Sequence, residues 1–457
     1  MKTIIMAGGK GTRISSLFPG IPKPLIPISQ INPETGLEEA KPVLEWELLS
    51  LASQGFTDII LTVGYRAQQI IDYFGDGHNL GINIRYFIEE TPLGNAGALF
   101  KLRDELTDPF LLLNADAIFE IDFNRMVMFH RDHNALVTLF THPNSHPYDS
   151  GLIIVAEDKS VSAWLTKEDI RPDYYKNRVN AGLHVMDPKV LENAASSIDI
   201  EHIGEEVDGK IVKVDLDRQV LKPLCGSRQM FAYDSPEYVK DMGTPERYEA
   251  VCRDFASGVV NRKNLKYLQR AIFLDRDGTI NKYVGFLRKI TDFELLPGVA
   301  EAIRLINESG YLAIIVTNQP VIARGEVSVP ELVGIHQKME TELGREGAYI
   351  DSIYYCPHHP DKGFEGEVVQ FKIDCDCRKP KPGMLIKASR DFNIDLKNSW
   401  MIGDGKNDVL AGKSAGCKTV LISALGTSDD KIADVADFGQ DLTATSLLDA
   451  IRQILGK

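Results

Sequence analysis

Two α/β domains are predicted by three features of the sequence. The chain has 457 residues, more than one ordinary hydrophobic core encloses. Apolar, strand-like runs alternate with amphipathic stretches in each half, the pattern of βαβ units built around a sheet. The chain also opens twice: MKTIIMAGGKGTR at Met1 and RAIFLDRDGTINK at Arg270 each run an apolar strand directly into a loop of glycines or carboxylates.

In the first half, TIIMA, DIILTVG, INIRYFIEE, PFLLLNAD, ALVTLFTH and GLHVMD read as strands, and LEWELLSLASQG and AQQIIDYFG as helices between them. This alternation predicts a mainly parallel sheet. A helix follows at KDMGTPERYEAVCRDF. SGVVNRKNLKYLQ is polar and basic without a clear apolar face, so residues 256–269 read as a linker between domains at 1–255 and 270–457. Beyond it AIFLD, LAIIVTN, SIYYCP, SWMIGD and TVLIS give five strands of a second sheet.

Lys and Arg number 51 against 65 Asp and Glu, a formal charge of -14. That balance argues against a sequence-independent grip on nucleic acid or on an anionic membrane, both of which need clustered cations. Phosphate binding must then be local, and the expected partners are small molecules. The N-terminal apolar run passes straight into AGGKG and lacks the length and cleavage site of a signal peptide. Six cysteines in a chain of this size do not make a disulfide framework, so a cytoplasmic location is expected. Whether the chain forms a homo-oligomer is open at this stage.

AGGKGTR places glycines where backbone must approach a ligand closely, and successive amides at a helix N-terminus form an anion site. Arg13 and Lys23, the latter in PKPLIP, add positive charge for a triphosphate. LLLNAD puts Asp116 at a strand end, where open α/β sheets bind ligands. KDMGTPERY puts Asp241 before a Gly-Thr-Pro turn, so that two carboxylates distant in sequence could share one Mg²⁺. ETPLGNAGAL offers a small-residue loop for a flat base.

These features resemble the sugar-phosphate nucleotidyltransferases over residues 1 to about 252. PKPLIP, VGYRAQQIIDYFGDG and PLGNAGAL look most like the guanylyltransferases for mannose and heptose 1-phosphates. The resemblance implies a Rossmann-like domain with a mixed sheet, in which a sugar 1-phosphate attacks the α-phosphorus of a nucleoside triphosphate in line and releases pyrophosphate. It gives the phosphates to Gly8, Gly9, Gly11, Thr12 and Arg13, the leaving pyrophosphate to Lys23, and Mg²⁺ to Asp116 and Asp241. Gly94 then lies by the base, and Gly151, Lys167 and Asn180 lie by the sugar. Glu90 is expected to accept from the N–H edge of guanine. One departure stands out: Thr166 occupies a position where the family has Glu before the lysine.

FLDRDGT is the more specific signal. Asp275 ends a strand with its carboxylate at the mouth of the sheet, and Asp277 faces the same opening. One carboxylate can attack phosphorus while the other protonates the leaving group and later activates water. Such an attack on a phosphate dianion needs Mg²⁺ and donors nearby. Thr317-Asn318-Gln319 after LAIIV, Lys381 in RKPKPG, and Asp404 with Asp408 in MIGDGKND supply them in order.

This ordered set resembles the haloacid dehalogenase phosphatases from about Gln269 onward. The resemblance implies a Rossmannoid domain in which Asp275 becomes the aspartyl-phosphate and Asp277 is the acid/base. Thr317, Asn318 and Lys381 would meet the phosphate. Asp275, the Asp277 carbonyl and Asp404 would hold Mg²⁺, with Asp408 either ligating or orienting. About twenty residues separate Asp277 from the helix at Gly298, too few for a folded cap domain, so the site should be open.

CPHHPDKGFEGEVVQFKIDCDCRKPKPG supplies Cys356, His358, Cys375 and Cys377, and three cysteines with one histidine make a closed tetrahedral Zn²⁺ site. His359 competes with His358, whose spacing is that of the family. Arg378 and Lys379, beside this knot, could grip a second substrate phosphate. CPHHP, CDCRKPKPGM and TNQ followed by IARG are similar to the heptose bisphosphate phosphatase branch, with Pro320-Val321 departing from its usual Ser-Gly. The two resemblances share a metabolite: removal of the 7-phosphate from D-glycero-D-manno-heptose 1,7-bisphosphate gives a heptose 1-phosphate that a guanylyltransferase can convert to GDP-heptose. The alternatives are a mannose 1-phosphate guanylyltransferase joined to a phosphatase for an ester such as histidinol phosphate, and a regulatory nucleotide-sugar binder.

Overall fold

The computed structural model describes residues 1–9, 13–14, 16–31, 38–115, 117–363, 365–423 and 437–456, and among them the first half has fifteen strands, of which eleven organise the domain. In chain order these strands are Lys2–Met6 (β1), Asp58–Val63 (β2), Asn83–Ile88 (β3), Phe110–Asn114 (β4), Ala117–Glu120 (β5), Val137–His142 (β6), Leu152–Val155 (β7), Val161–Leu165 (β8), Val179–Met186 (β9), Met230–Asp234 (β10) and Tyr238–Asp241 (β11). The main sheet runs β8-β7-β9-β4-β1-β2-β3, with β6 beside β9 and β10 beside β6. β1, β2, β3 and β4 are mutually parallel, whereas β9 runs antiparallel to β4 and β6, so the sheet is mixed. Both faces are covered: Ile4 packs with Leu112 and Leu139, and its neighbour Ile5 packs with Leu48 and Leu61. That is why the central strands β1, β2 and β4 carry continuous buried runs rather than alternating.

By their contacts, residues Met1–His142, Gly151–Thr166 and Val179–Asn264 form one unit, and Pro143–Ser150, Lys167–Arg178 and Leu265–Lys457 form the other. Two short excursions of the first half therefore count with the second. Within that second unit Arg178 is buried and donates to Glu340 at 3.2 Å and to the Asp351 carbonyl at 2.8 Å. At the predicted linker, the helix Pro245–Ala256 is followed by a turn of helix at Val259–Arg262. Val259 and Val260 are buried there with Ile118 and Tyr238. Two adjacent valines make no helical repeat, so this small apolar contact is invisible to a periodicity reading.

Among its described residues the second unit has six strands: Ala271–Leu274 (β12), Leu312–Asn318 (β13), Ser352–Cys356 (β14), Trp400–Gly403 (β15), Lys418–Ile422 (β16) and Leu442–Ala444 (β17). All are parallel, in the order β14-β13-β12-β15-β16-β17. The sixth, β17, is three residues long and partly polar, too short to announce itself. β12 comes first in the chain but lies at the centre, because the next crossovers run to one side and the later ones to the other. A crevice opens at the carboxyl ends of the strands where the winding reverses. Helices Val329–Arg345 (α1) and Lys406–Ala415 (α2) frame that crevice in sequence, each following a strand-end loop that bears candidate residues.

Candidate functional sites

In the first unit, β1 runs into Ala7, Gly8 and Gly9 at the edge of a cavity of about 490 Å³. Gly8, Gly9, Arg13, Lys23, Glu89 and Gly94 are among the residues that line it. Gly94 has φ +83°, and a Cβ there would overlap the Val214 backbone carbonyl, so this position requires glycine. β11 pairs antiparallel with β5 and sets Asp241 opposite Ala117, the residue after Asp116. Two loops far apart in sequence are thereby brought to one sheet edge. Asp116, Gly11 and Thr12 themselves lie outside the described residues. Asp241 accepts from the Gly243 amide at 2.8 Å and from Arg247 at 2.7 Å. Burial alone would raise its carboxyl, but these donors and Lys23 hold it below the usual carboxylate range. A carboxylate kept ionised in this way fits a hard cation.

Glu90 does not line this cavity and is exposed. Glu89 lines it instead, because its amide donates to the Val63 carbonyl at 2.8 Å and extends the β2–β3 ladder by one residue. Burial pushes its carboxyl up, against the amide of Leu93. Gly151, beside Trp164, and Asn180, whose Oδ1 accepts from the Gly182 amide at 3.3 Å, lie on the β7–β9 side and outside the cavity lining, and Lys167 counts with the second unit.

In the second unit, the Asp275 amide donates to the Ile402 carbonyl at 2.9 Å and extends the β12–β15 ladder, which fixes the residue at the mouth of the sheet. Lys379 Nζ lies 2.7 Å from Asp275 Oδ1 and 2.6 Å from Asp408 Oδ1. Burial pushes Asp275 above the ordinary carboxylate range, opposed by Lys379. For Lys379, burial acts downward, and the two carboxylates more than offset it. Asn318 clamps the Lys379 backbone through two 3.0 Å hydrogen bonds, and Thr317 is buried beside Gln319, which donates to its hydroxyl at 2.9 Å.

Lys381 was expected to be the lysine at this site, and the structure corrects that assignment. Its side chain is 41% exposed and paired with Asp374 at 2.7 Å. RKPKPG forms a turn, with the Lys381 amide donating to the Arg378 carbonyl, so lysines two apart point to different places. Arg378 donates to the His358 carbonyl at 3.3 Å, beside the cysteine cluster.

Asp277 accepts from Arg276 at 2.8 and 2.9 Å, from Asn281 at 3.0 Å and from Gln319 at 2.9 Å. Asp275, Asp404 and Asp408 offer carboxylate oxygens all within 4.8 Å of one another. Partial burial and Asp275 push Asp404 up to about 6. Such crowding of hard oxygen donors fits Mg²⁺. Asp408 meets Lys379 and accepts from the Gly405 amide at 3.1 Å. Gly278, at φ +86°, leaves room for Asp404: any Cβ there would overlap that carboxylate.

Cys356, His358, Cys375 and Cys377 converge. Cys377 Sγ lies 3.1 Å from Cys375, 3.3 Å from Cys356 and 3.3 Å from His358 Nδ1, and Cys356 lies 3.5 Å from Cys375. The edges of a zinc–thiolate tetrahedron are roughly 3.7 Å, so the four ligands fit Zn²⁺ with slight expansion. The Cys356 thiol and burial push Cys377 well up, a crowding that a dication would relieve. His359 is turned away and accepts from the Asp361 amide at 3.2 Å.

Residues 2–257, more than half of the chain, match the nucleotidyl transferase family. The chain belongs to the nucleotidyl transferase family. Within this transferase, residues 376–450 also match the HAD-hydrolase-like family. The D-glycero-β-D-manno-heptose-1,7-bisphosphate 7-phosphatase of Vibrio cholerae serotype O1 is 41% identical over 184 residues, 40% of this chain and 93% of that protein. The phosphatase of the same name from Pasteurella multocida is 44% identical over 167 residues, 36% of this chain and 88% of that one. These identities place the corresponding region in that phosphatase family. The transferase is thus an enzyme with a second, phosphatase activity. Among solved structures, HddC from Yersinia pseudotuberculosis is 24% identical with a TM-score of 0.44, covering 56% of this chain and 99% of its own. Among the described residues of the transferase, no helix is long and apolar enough to cross a membrane.

The reassignment of the lysine gives a direct comparison. Lys379→Ala is expected to lower phosphatase kcat/KM by about 10²- to 10³-fold, as for loss of a preorganised cation at a phosphoryl group, and Lys381→Ala by less than about threefold. Steady-state phosphate release from both variants measures the difference.

Proposed function

We propose that this transferase removes the 7-phosphate of D-glycero-D-manno-heptose 1,7-bisphosphate and then joins the heptose 1-phosphate to GMP from GTP, giving GDP-heptose and pyrophosphate. The observation that carries this reading is the 41% identity to a heptose-1,7-bisphosphate 7-phosphatase in a chain whose first 257 residues are a nucleotidyl transferase. The product of the one chemistry is a sugar 1-phosphate, the substrate class of the other. The activities divide between residues 1–255 and 270–457, with 256–269 as the junction, and the enzyme works in the cytoplasm.

In the phosphatase step Asp275 attacks the 7-phosphorus, the bond from phosphorus to the C7 oxygen breaks, and Asp277 gives that oxygen its proton. Water then attacks the aspartyl-phosphate, passes a proton to Asp277, and inorganic phosphate leaves Asp275. Lys379, held by Asn318 and Asp408, balances charge on the phosphoryl group, and Thr317 lines its seat. Asp275, the Asp277 carbonyl and Asp404 would hold Mg²⁺, which supplies charge neutralisation. Since Asp404 must ionise to take the cation, activity at limiting Mg²⁺ should fall as pH drops below about 6 and recover when Mg²⁺ is raised. Mg²⁺ titrations at about pH 5 and about pH 7.5 read this shift in apparent affinity. Cys356, His358, Cys375 and Cys377 would hold Zn²⁺, which would brace the loop that carries Arg378 toward the distal phosphate.

In the transfer step an oxygen of the sugar phosphate attacks the α-phosphorus of GTP in line and pyrophosphate departs, with Gly8, Gly9, Gly11, Thr12, Arg13 and Lys23 around the phosphates. Asp116 and Asp241 would share Mg²⁺, while Gly151, Lys167 and Asn180 take the sugar. The acceptor for the guanine N–H edge is Glu89 rather than Glu90. Glu89→Gln is expected to cut the preference for GTP over ATP by at least about tenfold while Glu90→Gln leaves it unchanged, as kcat/KM for each nucleotide shows.

The test is to supply each anomer of the heptose bisphosphate with GTP and Mg²⁺ and to identify the products. GDP-heptose with stoichiometric phosphate and pyrophosphate is expected. Turnover of mannose 1-phosphate without any of heptose would sink the assignment.

A further inference from the structure

Arg276 stands between the two catalytic aspartates, yet its side chain is the largest fully buried one in the described residues. Asp275 and Asp277 face the crevice, and the intervening residue points back into the protein. Its guanidinium is held at all three nitrogens: Nη2 lies 2.9 and 2.8 Å from the two Asp277 oxygens, Nε lies 3.2 Å from Oδ1, and Nη1 lies 3.2 Å from His336 Nε2. A guanidinium only donates, so the His336 nitrogen facing it must carry the lone pair, which puts the ring proton on Nδ1. Burial and Arg276 push His336 well below its ordinary value and keep it neutral. His336 sits on α1, whose N-terminus is fixed by a Ser328–Glu331 capping box and whose Ile335 and Met339 enter the core.

We infer that His336 is a positioning residue for the phosphatase: through Arg276 it sets the direction from which the Asp277 carboxyl delivers its proton to the leaving oxygen. This inference rests on the phosphatase reading of the second unit. A fork held at three of its nitrogens leaves the Asp277 carboxyl little rotation, with Gln319 and Asn281 completing the cradle. Without an acceptor at His336, Nη1 becomes an unsatisfied buried donor, and the guanidinium must turn to find another partner. The Asp277 orientation turns with it. Burying a cation and an imidazole under the site costs stability that an apolar pair would not. A role confined to packing would therefore be better filled by carbon.

The test separates leaving groups. Full-length His336→Leu and Arg276→Lys are assayed on an alkyl ester, the heptose bisphosphate, and on p-nitrophenyl phosphate, whose nitrophenolate departs without a proton. Because kcat/KM stops at the first irreversible step, formation of the aspartyl-phosphate, it isolates leaving-group protonation. Each variant is expected to lose about 30-fold in kcat/KM on the alkyl ester, within the range set by general acid catalysis, and less than about threefold on the aryl ester. KM should hold within about twofold, and His336→Gln, which keeps an acceptor, should recover most of the loss. Equal losses on both esters, no loss on either, or no recovery with glutamine overturns the inference. Failure of the native enzyme on both esters would instead overturn the phosphatase reading itself, and retained aryl turnover reports that a variant is folded.

Discussion

Asp275→Asn is expected to abolish phosphate release from the heptose bisphosphate, by about 10⁴-fold or more, as removal of a covalent nucleophile does. Nucleotidyl transfer to a supplied sugar 1-phosphate should continue at the native rate. The amide is nearly isosteric and can still accept from Lys379, now 2.7 Å from the carboxylate, so the loop need not move. Only the capacity to form an acyl phosphate is lost. Measuring phosphate and pyrophosphate release in one preparation tests this separation, and a matched fall in both would show that the two halves do not work independently.

Removal of the soft metal is expected to have the next largest effect. Cys377 touches all three of the other ligands, and it directly precedes Arg378 and Lys379. Cys377→Ser should release Zn²⁺ and lower phosphatase kcat/KM by about 10- to 100-fold, while GTP-dependent transfer persists. Elemental analysis of the purified protein, with phosphate release before and after chelation, decides it. A native protein free of zinc, or one whose phosphatase is indifferent to the loss of zinc, would refute this role.

The sites were legible in the sequence wherever one short segment carries several ligands. FLDRDGT, CPHHP and CDC each place their residues within a turn of one another, so residue type and spacing nearly determine the geometry. Choices between like residues were not legible. Glu89 and Glu90 are separated by whether the β2–β3 ladder extends one residue further, and Lys379 and Lys381 by the direction of a turn. Neither leaves a mark in composition. His336 was missed for another reason: it lies on a helix whose apolar face reads as ordinary core, and its partner is hidden between two more conspicuous aspartates. In the folds, central strands such as Lys2–Met6, Asp58–Val63 and Leu312–Asn318 announce themselves by their apolar runs, whereas the polar pair Pro27–Ile31 and Glu38–Pro42 does not. β17 and the Val259–Arg262 turn fell below that signal.

The central place of β12 bears on how the enzyme is made. Asp275 leaves the ribosome early in its domain, but one side of β12 stays an open edge until β15 has been synthesised and Ile402 can accept its amide. The seat of Asp275 is therefore completed by the late part of the chain. A product truncated between Leu274 and Trp400 would carry the nucleotidyl transferase region, residues 2–257, alongside an unfinished phosphatase with an exposed apolar strand.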